Sequence, residues 1–115
     1  MPIEKRTRVE IFLPIRSDVS AYQIVLEWMA EEMAFTRGGS TLTTPFAGLF
    51  ASSTQISVVQ DAIQILFCDF ELDSEKDEDF LEIVAFLESV KIFLMKALEE
   101  EEVWIVFHPI SRIVS

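Results

Sequence analysis

The chain contains a single histidine and a single cysteine, the two side chains best suited to acid–base or nucleophilic chemistry. His108 precedes Pro109, and an imidazole at this position could act as a general base. Cys68 is followed by Asp69, whose charge would oppose the thiolate that a cysteine nucleophile requires. We therefore interpret Cys68 as a small buried hydrophobe and His108 as a strand-end residue at the sheet border. His108 is the one catalytic candidate, and no catalytic constellation follows from these residues.

A second chemical candidate is the consecutive run of Arg37, Gly38, Gly39, Ser40 and Thr41. It combines a cation, two flexible residues and two hydroxyls, and the amides of such a loop could hold a phosphate or a carboxylate. Its spacing matches neither the Walker motif nor the glycine motif of dinucleotide-binding folds. A helix C-cap followed by a turn also accounts for the glycines. A small anionic ligand at this loop is therefore a hypothesis, and the C-cap interpretation is favoured.

Acidic side chains recur at every second residue between positions 69 and 79, which raises the question of a calcium site. A twelve-residue calcium loop beginning at Asp69 would place Ser74 where a glycine is required, and one beginning at Asp73 would place Glu78 there. One histidine and one cysteine do not complete a closed zinc site. We therefore predict no metal site and no cofactor, and we interpret the acids as a strand end followed by a solvated helix entry.

The elements that position these residues follow from hydrophobic periodicity. Residues 8–15 alternate apolar and polar side chains, which is typical of a strand with one buried face. A helix over about residues 21–35 follows, because N-cap oxygens precede it and two glycines end it. Residues 40–51 suit an extended segment, but Pro45 cannot donate to a ladder, so we expect an edge strand or an interrupted one.

The second half of the chain repeats this order. Residues 62–72 carry apolar side chains at both odd and even positions, which indicates a central strand covered on both sides. Residues 56–59 could extend this strand backwards or form a short element of their own. A long helix then runs from residue 77 or 78 to 98 or 99, with acidic side chains favourably placed in its first turn. Residues 103–108 predict a final strand, which we expect Pro109 to stop.

The order strand, helix, strand, strand, helix, strand resembles the ferredoxin-like superfold, in which two helices cover one face of a four-stranded antiparallel sheet. The resemblance rests on element order and covers nearly the whole chain. It implies no particular activity, because that superfold hosts unrelated functions. The sequence therefore predicts an α+β, ferredoxin-like βαββαβ sandwich that forms a single domain over residues 1–115.

The composition of the chain argues against some classes of binding partner and indicates the cellular compartment that we expect. The 115 residues are half hydrophobic and carry a formal charge of −11, which argues against nucleic acid and anionic membranes as partners. The basic amino end leads into a short alternating segment rather than the apolar core of a signal peptide. The apolar stretch at residues 80–98 is interrupted by charges, which excludes a membrane span. With one thiol, no internal disulfide can form, and we expect a cytoplasmic protein.

The helices and strands carry more apolar side chains than are needed to give each of them one buried face. Trp28 falls outside the apolar stripe that the first helix should bury. Phe12 must face away from the helices if Val9 faces them. On the last strand, either the set Val103, Ile105 and Phe107 or the set Trp104, Val106 and His108 must do likewise. We therefore predict an apolar interface at Phe12, Trp28, Trp104 and Val106.

Two functions fit these observations. The first is a small soluble binding or assembly module that homodimerises through an apolar sheet face, with the segment 37–60 folding over that face as the intramolecular alternative. The second is an enzyme or small-ligand (anion) sensor with a cleft near Arg37 and His108. There Arg37 would orient the anion and His108 would move a proton.

Overall fold

The computed structural model describes residues 2–15, 22–37, 41–43, 46–51 and 58–114. Within these ranges the chain forms five strands and two helices. In chain order they are β1 (Ile3–Pro14), α1 (Tyr22–Arg37), β2 (Thr41–Leu42), β3 (Phe46–Ala51), β4 (Val58–Phe70), α2 (Asp77–Ala97) and β5 (Trp104–Ile113). The two helices lie between strands where the sequence predicted them. The strand expected over residues 40–51 is interrupted, since β2 ends at Leu42 and β3 begins at Phe46, so the described residues form five strands rather than the four predicted.

The sheet is antiparallel and has the order β2-β4-β1-β5, with β3 pairing along β4 as well. β2 pairs with residues 66–67 of β4 and β3 pairs with residues 58–63, so the two short strands together occupy one strand position. The α+β prediction is confirmed, and the strand order is compatible with the ferredoxin-like arrangement. β4 begins at Val58, as the apolar residues before position 60 suggested.

Both helices pack on one face of the sheet, because alternate residues of β1 and β4 form a common core with them. On β1 the core residues are Val9, Ile11 and Leu13, and in the register Val9 lies opposite Cys68 and Ile11 opposite Leu66. The buried helix residues of this core are Tyr22, Leu26, Met29 and Met33 from α1 and Ile83, Leu87, Val90 and Leu94 from α2. The apolar side chains that recur every second residue in the strands and every 3.6 residues in the helices therefore pack against each other in one buried layer.

The prediction that Pro109 ends the last strand is wrong. β5 continues to Ile113, and Pro109 lies opposite Thr7 of β1. β5 is an edge strand among the described residues, where alternate N–H groups point away from the sheet, so the missing donor of a proline costs no ladder bond. β1 also begins earlier than the predicted residue 8, because Ile3 pairs with Ile113 at the end of the extended β5.

Thr7 is a fully buried polar residue that joins β1 to the turn between β4 and α2. Its hydroxyl Oγ1 donates to the carbonyl oxygen of Leu72 at 2.8 Å and accepts from the backbone N–H of Ser74 at 3.1 Å. One side chain therefore satisfies two backbone groups of a turn, which is how buried polar groups are usually accommodated.

The α2 helix ends in a Schellman motif built on a non-glycine residue. The N–H of Glu100 donates to the carbonyl of Met95 at 2.9 Å, and the N–H of Glu99 donates to that of Lys96 at 3.4 Å. Glu99 has a φ of 54°, in the left-handed region that glycine occupies at no steric cost. The backbone is therefore strained at Glu99, and the acidic side chain also faces the negative end of the helix dipole.

Replacing Thr7 with valine should lower the free energy of unfolding by about 2 kcal/mol, because the Ser74 N–H and the Leu72 carbonyl lose their partner while the side-chain shape is kept. Urea denaturation measures the change. Thr7→Ser is the control, because it retains the hydroxyl and loses only a methyl group, at a cost of about 1 kcal/mol. A Thr7→Val protein as stable as the wild type would contradict the assigned hydrogen bonds.

Replacing Glu99 with glycine should raise the free energy of unfolding by about 1 kcal/mol, because the strain of a left-handed residue is removed. Glu99→Ala separates this effect from that of the charge, since alanine removes the carboxylate and keeps the Cβ strain. We expect thermal unfolding to place Glu99→Gly above both Glu99→Ala and the wild type. If Glu99→Gly and Glu99→Ala unfolded at the same temperature, the change in stability would be due to the loss of charge alone.

Candidate functional site

The side of the sheet opposite the helices, here called the open face, carries three cross-strand rows of side chains. In the first row Arg8 of β1 lies between Asp69 of β4 and His108 of β5. The other rows are Phe67–Glu10–Val106 and Ile65–Phe12–Trp104. Because cross-strand neighbours on one face lie about 5 Å apart, each row is a continuous surface. The open face therefore changes from charged at one end to apolar at the other.

The apolar end, here called the apolar patch, consists of Phe12, Ile65, Phe67, Trp104 and Val106. The rings of Phe12 and Trp104 meet edge to face, with centroids 6.4 Å apart and an interplanar angle of 70°. Trp104 is 56% exposed and Val106 is 40% exposed, whereas Ile65 is buried. Edge-to-face contact fixes the orientation of the indole while leaving much of its surface in water. The patch is thus a pre-oriented aromatic surface.

The charged end centres on a bidentate ion pair between Arg8 and Asp69. Arg8 Nε donates to Asp69 Oδ1 at 2.8 Å, and Nη2 donates to Oδ2 at 3.0 Å. The hydrogen bond from Arg8 holds the pKa of Asp69 below its ordinary value of 3.8, and the bond to Asp69 raises the pKa of Arg8. Fork-to-fork geometry of this kind positions both side chains as well as neutralising them.

The structure separates the two residues that the sequence analysis considered for catalysis. His108 lies on the open face, with Nδ1 3.8 Å from Glu10 Oε2. Cys68 is buried in the core beneath the helices, and its thiol contacts the Met33 carbonyl at 3.8 Å. The sheet therefore lies between the imidazole and the thiol, and they cannot act as a pair. His108 is also within β5 rather than at its end, because the strand continues to Ile113.

The predicted anion loop is described only at its two ends. Arg37 is the last residue of α1, and Thr41 is the first residue of β2 and is exposed. Gly38, Gly39 and Ser40 lie outside the described residues. The helix ends directly before the first glycine, which agrees with the C-cap interpretation of this segment.

The acidic run that raised the question of calcium has a local structural role. The Asp73 carboxylate accepts from the N–H of Glu75 at 3.0 Å, and the Asp79 carboxylate accepts from the N–H of Asp73 at 2.9 Å. Asp77, Glu78 and Asp79 form the first turn of α2, where negative charge stabilises a helix. In the described part of the chain, no group of three potential ligands lies close enough to hold a metal ion.

Trp28 does not share the open face with Phe12, Trp104 and Val106. It lies on α1 and meets Phe93 of α2, with ring centroids 5.1 Å apart and an interplanar angle of 52°. Trp28 is 48% exposed and Phe93 is 42% exposed. Helical periodicity predicted that Trp28 lies outside the buried stripe of α1 but not that it contacts Phe93, because Phe93 continues the apolar periodicity of α2. The predicted interface residues therefore belong to two separate surfaces.

Replacing Asp69 with asparagine should lower the free energy of unfolding by about 1 kcal/mol at neutral pH, because the bidentate contact to Arg8 loses its charge and the pair is partly exposed. A depressed pKa in the folded state stabilises the protein above the ordinary value of 3.8, and this contribution is lost as the pH falls below that value. The difference between wild type and Asp69→Asn should therefore shrink in urea titrations at acid pH. Glu71→Gln is the control, because the Glu71 carboxylate is exposed and lies 3.7 Å from Arg6. A difference that stays constant from neutral to acid pH would contradict the ion-pair assignment.

Within the described residues, neither helix is both long and apolar enough to cross a membrane. Comparison of the chain with protein-family models, with curated proteins and with solved structures gave no match, so the geometry of its own surfaces is the basis for any functional assignment.

Proposed function

We propose that this chain is a small binding or assembly module that homodimerises by placing the apolar patch of one copy against that of another. The observation that carries the proposal is the exposure of Trp104, an indole held edge to face against Phe12 at the surface. Monomeric proteins seldom leave contiguous apolar patches of more than roughly a few hundred Å² in water unless they bind something. Tryptophan is also the residue most often found where binding energy is concentrated.

The charge distribution on the open face supports self-association. The chain carries a formal charge of −11, which opposes contact between two copies through most of their surface. The open face is an exception, because cations and anions are mixed there. Its cations are Arg6, Arg8 and Arg112, and its anions are Glu4, Glu10, Asp69 and Glu71. A nearly balanced face can meet its own twofold-related copy without strong repulsion.

β1 is long enough for the open face to accommodate an interface of ordinary size. At about 3.3 Å per residue, the 12 residues of β1 extend about 40 Å. A dimer interface of ordinary size removes about 800 Å² from each partner, about a tenth of the surface of a small protein. The apolar patch, which has Glu10 between Phe67 and Val106, would supply the apolar part of such an interface, and the row of Asp69, Arg8 and His108 would lie at its polar edge.

The alternative function, an enzyme or anion sensor with a cleft near Arg37 and His108, remains a hypothesis with less support. The Glu10 carboxylate lies 3.8 Å from the imidazole of His108, and a carboxylate at this distance disfavours a bound anion. A dimer formed through the open face would also place His108 close to the interface.

The proposal predicts that the wild-type chain is a dimer at micromolar concentration and that Trp104→Ala weakens the dimer at least about 30-fold, equivalent to about 2 kcal/mol. Sedimentation velocity over a dilution series measures the dissociation constant. Val106→Glu should act in the same direction, because it places a charge at the centre of the patch.

Trp28→Ala is the matched control, because it removes a second half-exposed indole from the other side of the sheet and should leave the dimer unchanged. Circular dichroism verifies that each variant is folded. A wild-type chain that sediments as a monomer at micromolar concentration would refute the proposed function. A dimer that Trp28→Ala disrupts and Trp104→Ala does not would move the interface to the helices.

A further inference from the structure

The two helices form a groove on the side of the molecule away from the open face. Trp28, Met29 and Glu32 of α1 line one wall, and Phe86, Val90 and Phe93 of α2 line the other. Met29 and Val90 are core residues, and Phe86 packs edge to face on the buried ring of Phe70 at 5.7 Å. The floor of the groove is therefore continuous with the core and held in place by it, while its rim carries two half-exposed aromatic rings.

The volume of the groove indicates the size of its occupant. It measures about 230 Å³, which is below the roughly 300–1,000 Å³ of pockets that enclose small-molecule ligands. It suits one or two large apolar side chains that belong to a longer partner. Ile24 and Ile92 are also exposed on the outer sides of α1 and α2, and they extend the apolar surface beyond the groove.

The charge of the groove is one-sided. No lysine or arginine occurs between Arg16 and Arg37, and all the charged residues of α1 before Arg37 are glutamates. Glu32 lines the groove, and Glu27 and Glu31 are exposed on the same helix. The exposed Lys96 on α2 lies one helical turn beyond Phe93. Negative charge therefore accompanies the apolar wall that α1 contributes.

We propose that the groove between α1 and α2 binds an amphipathic helix of another protein, with large apolar side chains on one face and lysine or arginine along the side that lies over α1. A helix in an apolar groove is a recurrent mode of peptide recognition, in which anchors at helical spacing enter the groove. The glutamates of α1 favour a positively charged partner and increase its association rate. The same glutamates repel a second copy of this acidic chain, so this surface is distinct from the proposed dimer interface and does not depend on it.

The test uses a fluorescein-labelled synthetic peptide of eighteen residues, with leucines at helical spacing and lysines on the flanking side. Fluorescence anisotropy with the full-length chain should give a micromolar dissociation constant that weakens at least tenfold when the salt concentration rises from about 50 to 300 mM. A scrambled peptide of the same composition and a peptide with glutamate in place of lysine should each bind at least tenfold more weakly. These controls separate the fit to the groove from the attraction of net charge.

Variants locate the binding surface. Trp28→Ala and Phe93→Ala should each weaken the peptide at least tenfold, and the double variant Glu27→Gln, Glu31→Gln should weaken it and flatten its salt dependence. Trp104→Ala should leave peptide binding unchanged even if it disrupts the dimer, so failure of the dimer proposal and failure of this one are distinguishable. Equal binding of the scrambled peptide, unchanged binding to Trp28→Ala or the absence of binding at millimolar peptide would overturn the proposal. Loss of the dimer in Trp28→Ala would do so as well, because a second copy would then occupy the groove.

Discussion

The composition of the open face depends on the pairing of β1 with β4 on one side and β5 on the other. β4 and β5 flank β1 in antiparallel register, and residues 7–12 of β1 have a neighbour on both sides. Successive side chains of this segment therefore point alternately to the helices and to the open face. A shift of one residue would move Val9, Ile11 and Leu13 out of the core and Arg8 and Glu10 into it. The cost of burying those charges holds the register, and the register in turn assembles the rows of the open face.

The same constraint explains why the two reactive side chains of the chain are apart. Val9 lies opposite both Cys68 and Phe107, so the thiol shares the core side, whereas Arg8 lies opposite Asp69 and His108 on the other side. The bidentate contact of Arg8 with Asp69 occupies the charged end, and the aromatic contact of Phe12 with Trp104 occupies the apolar end. Both ends of the open face are therefore held in place by contacts between their own side chains.

The molecule offers two aromatic surfaces of different electrostatic character. On the open face, arginines stand among the carboxylates, and the two signs nearly balance. Beside the groove, α1 contributes glutamates and no cation before its last residue. Since like charges oppose contact and opposite charges favour it, the first surface suits a copy of the same chain and the second suits a basic partner. The two surfaces therefore differ in charge as well as in their position on opposite sides of the sheet.

The sequence alone determined the α+β class and the approximate bounds of both helices, because these follow from local periodicity, N-cap residues and helix ends. It did not determine how far β1 and β5 extend, because each is lengthened by pairing with the other. The sequence also predicted that Phe12 faces away from the helices if Val9 faces them, but it left two sets of side chains open on the last strand, and the register pairs Phe12 with Trp104 and Glu10 with Val106. Which residues meet was decided only by the tertiary structure: sheet pairing separates His108 from Cys68, and helix packing brings Trp28 to Phe93. Likewise, only the edge position of β5 shows why Pro109 does not end that strand. Pairing and packing join residues distant in the chain, and local patterns do not encode such contacts.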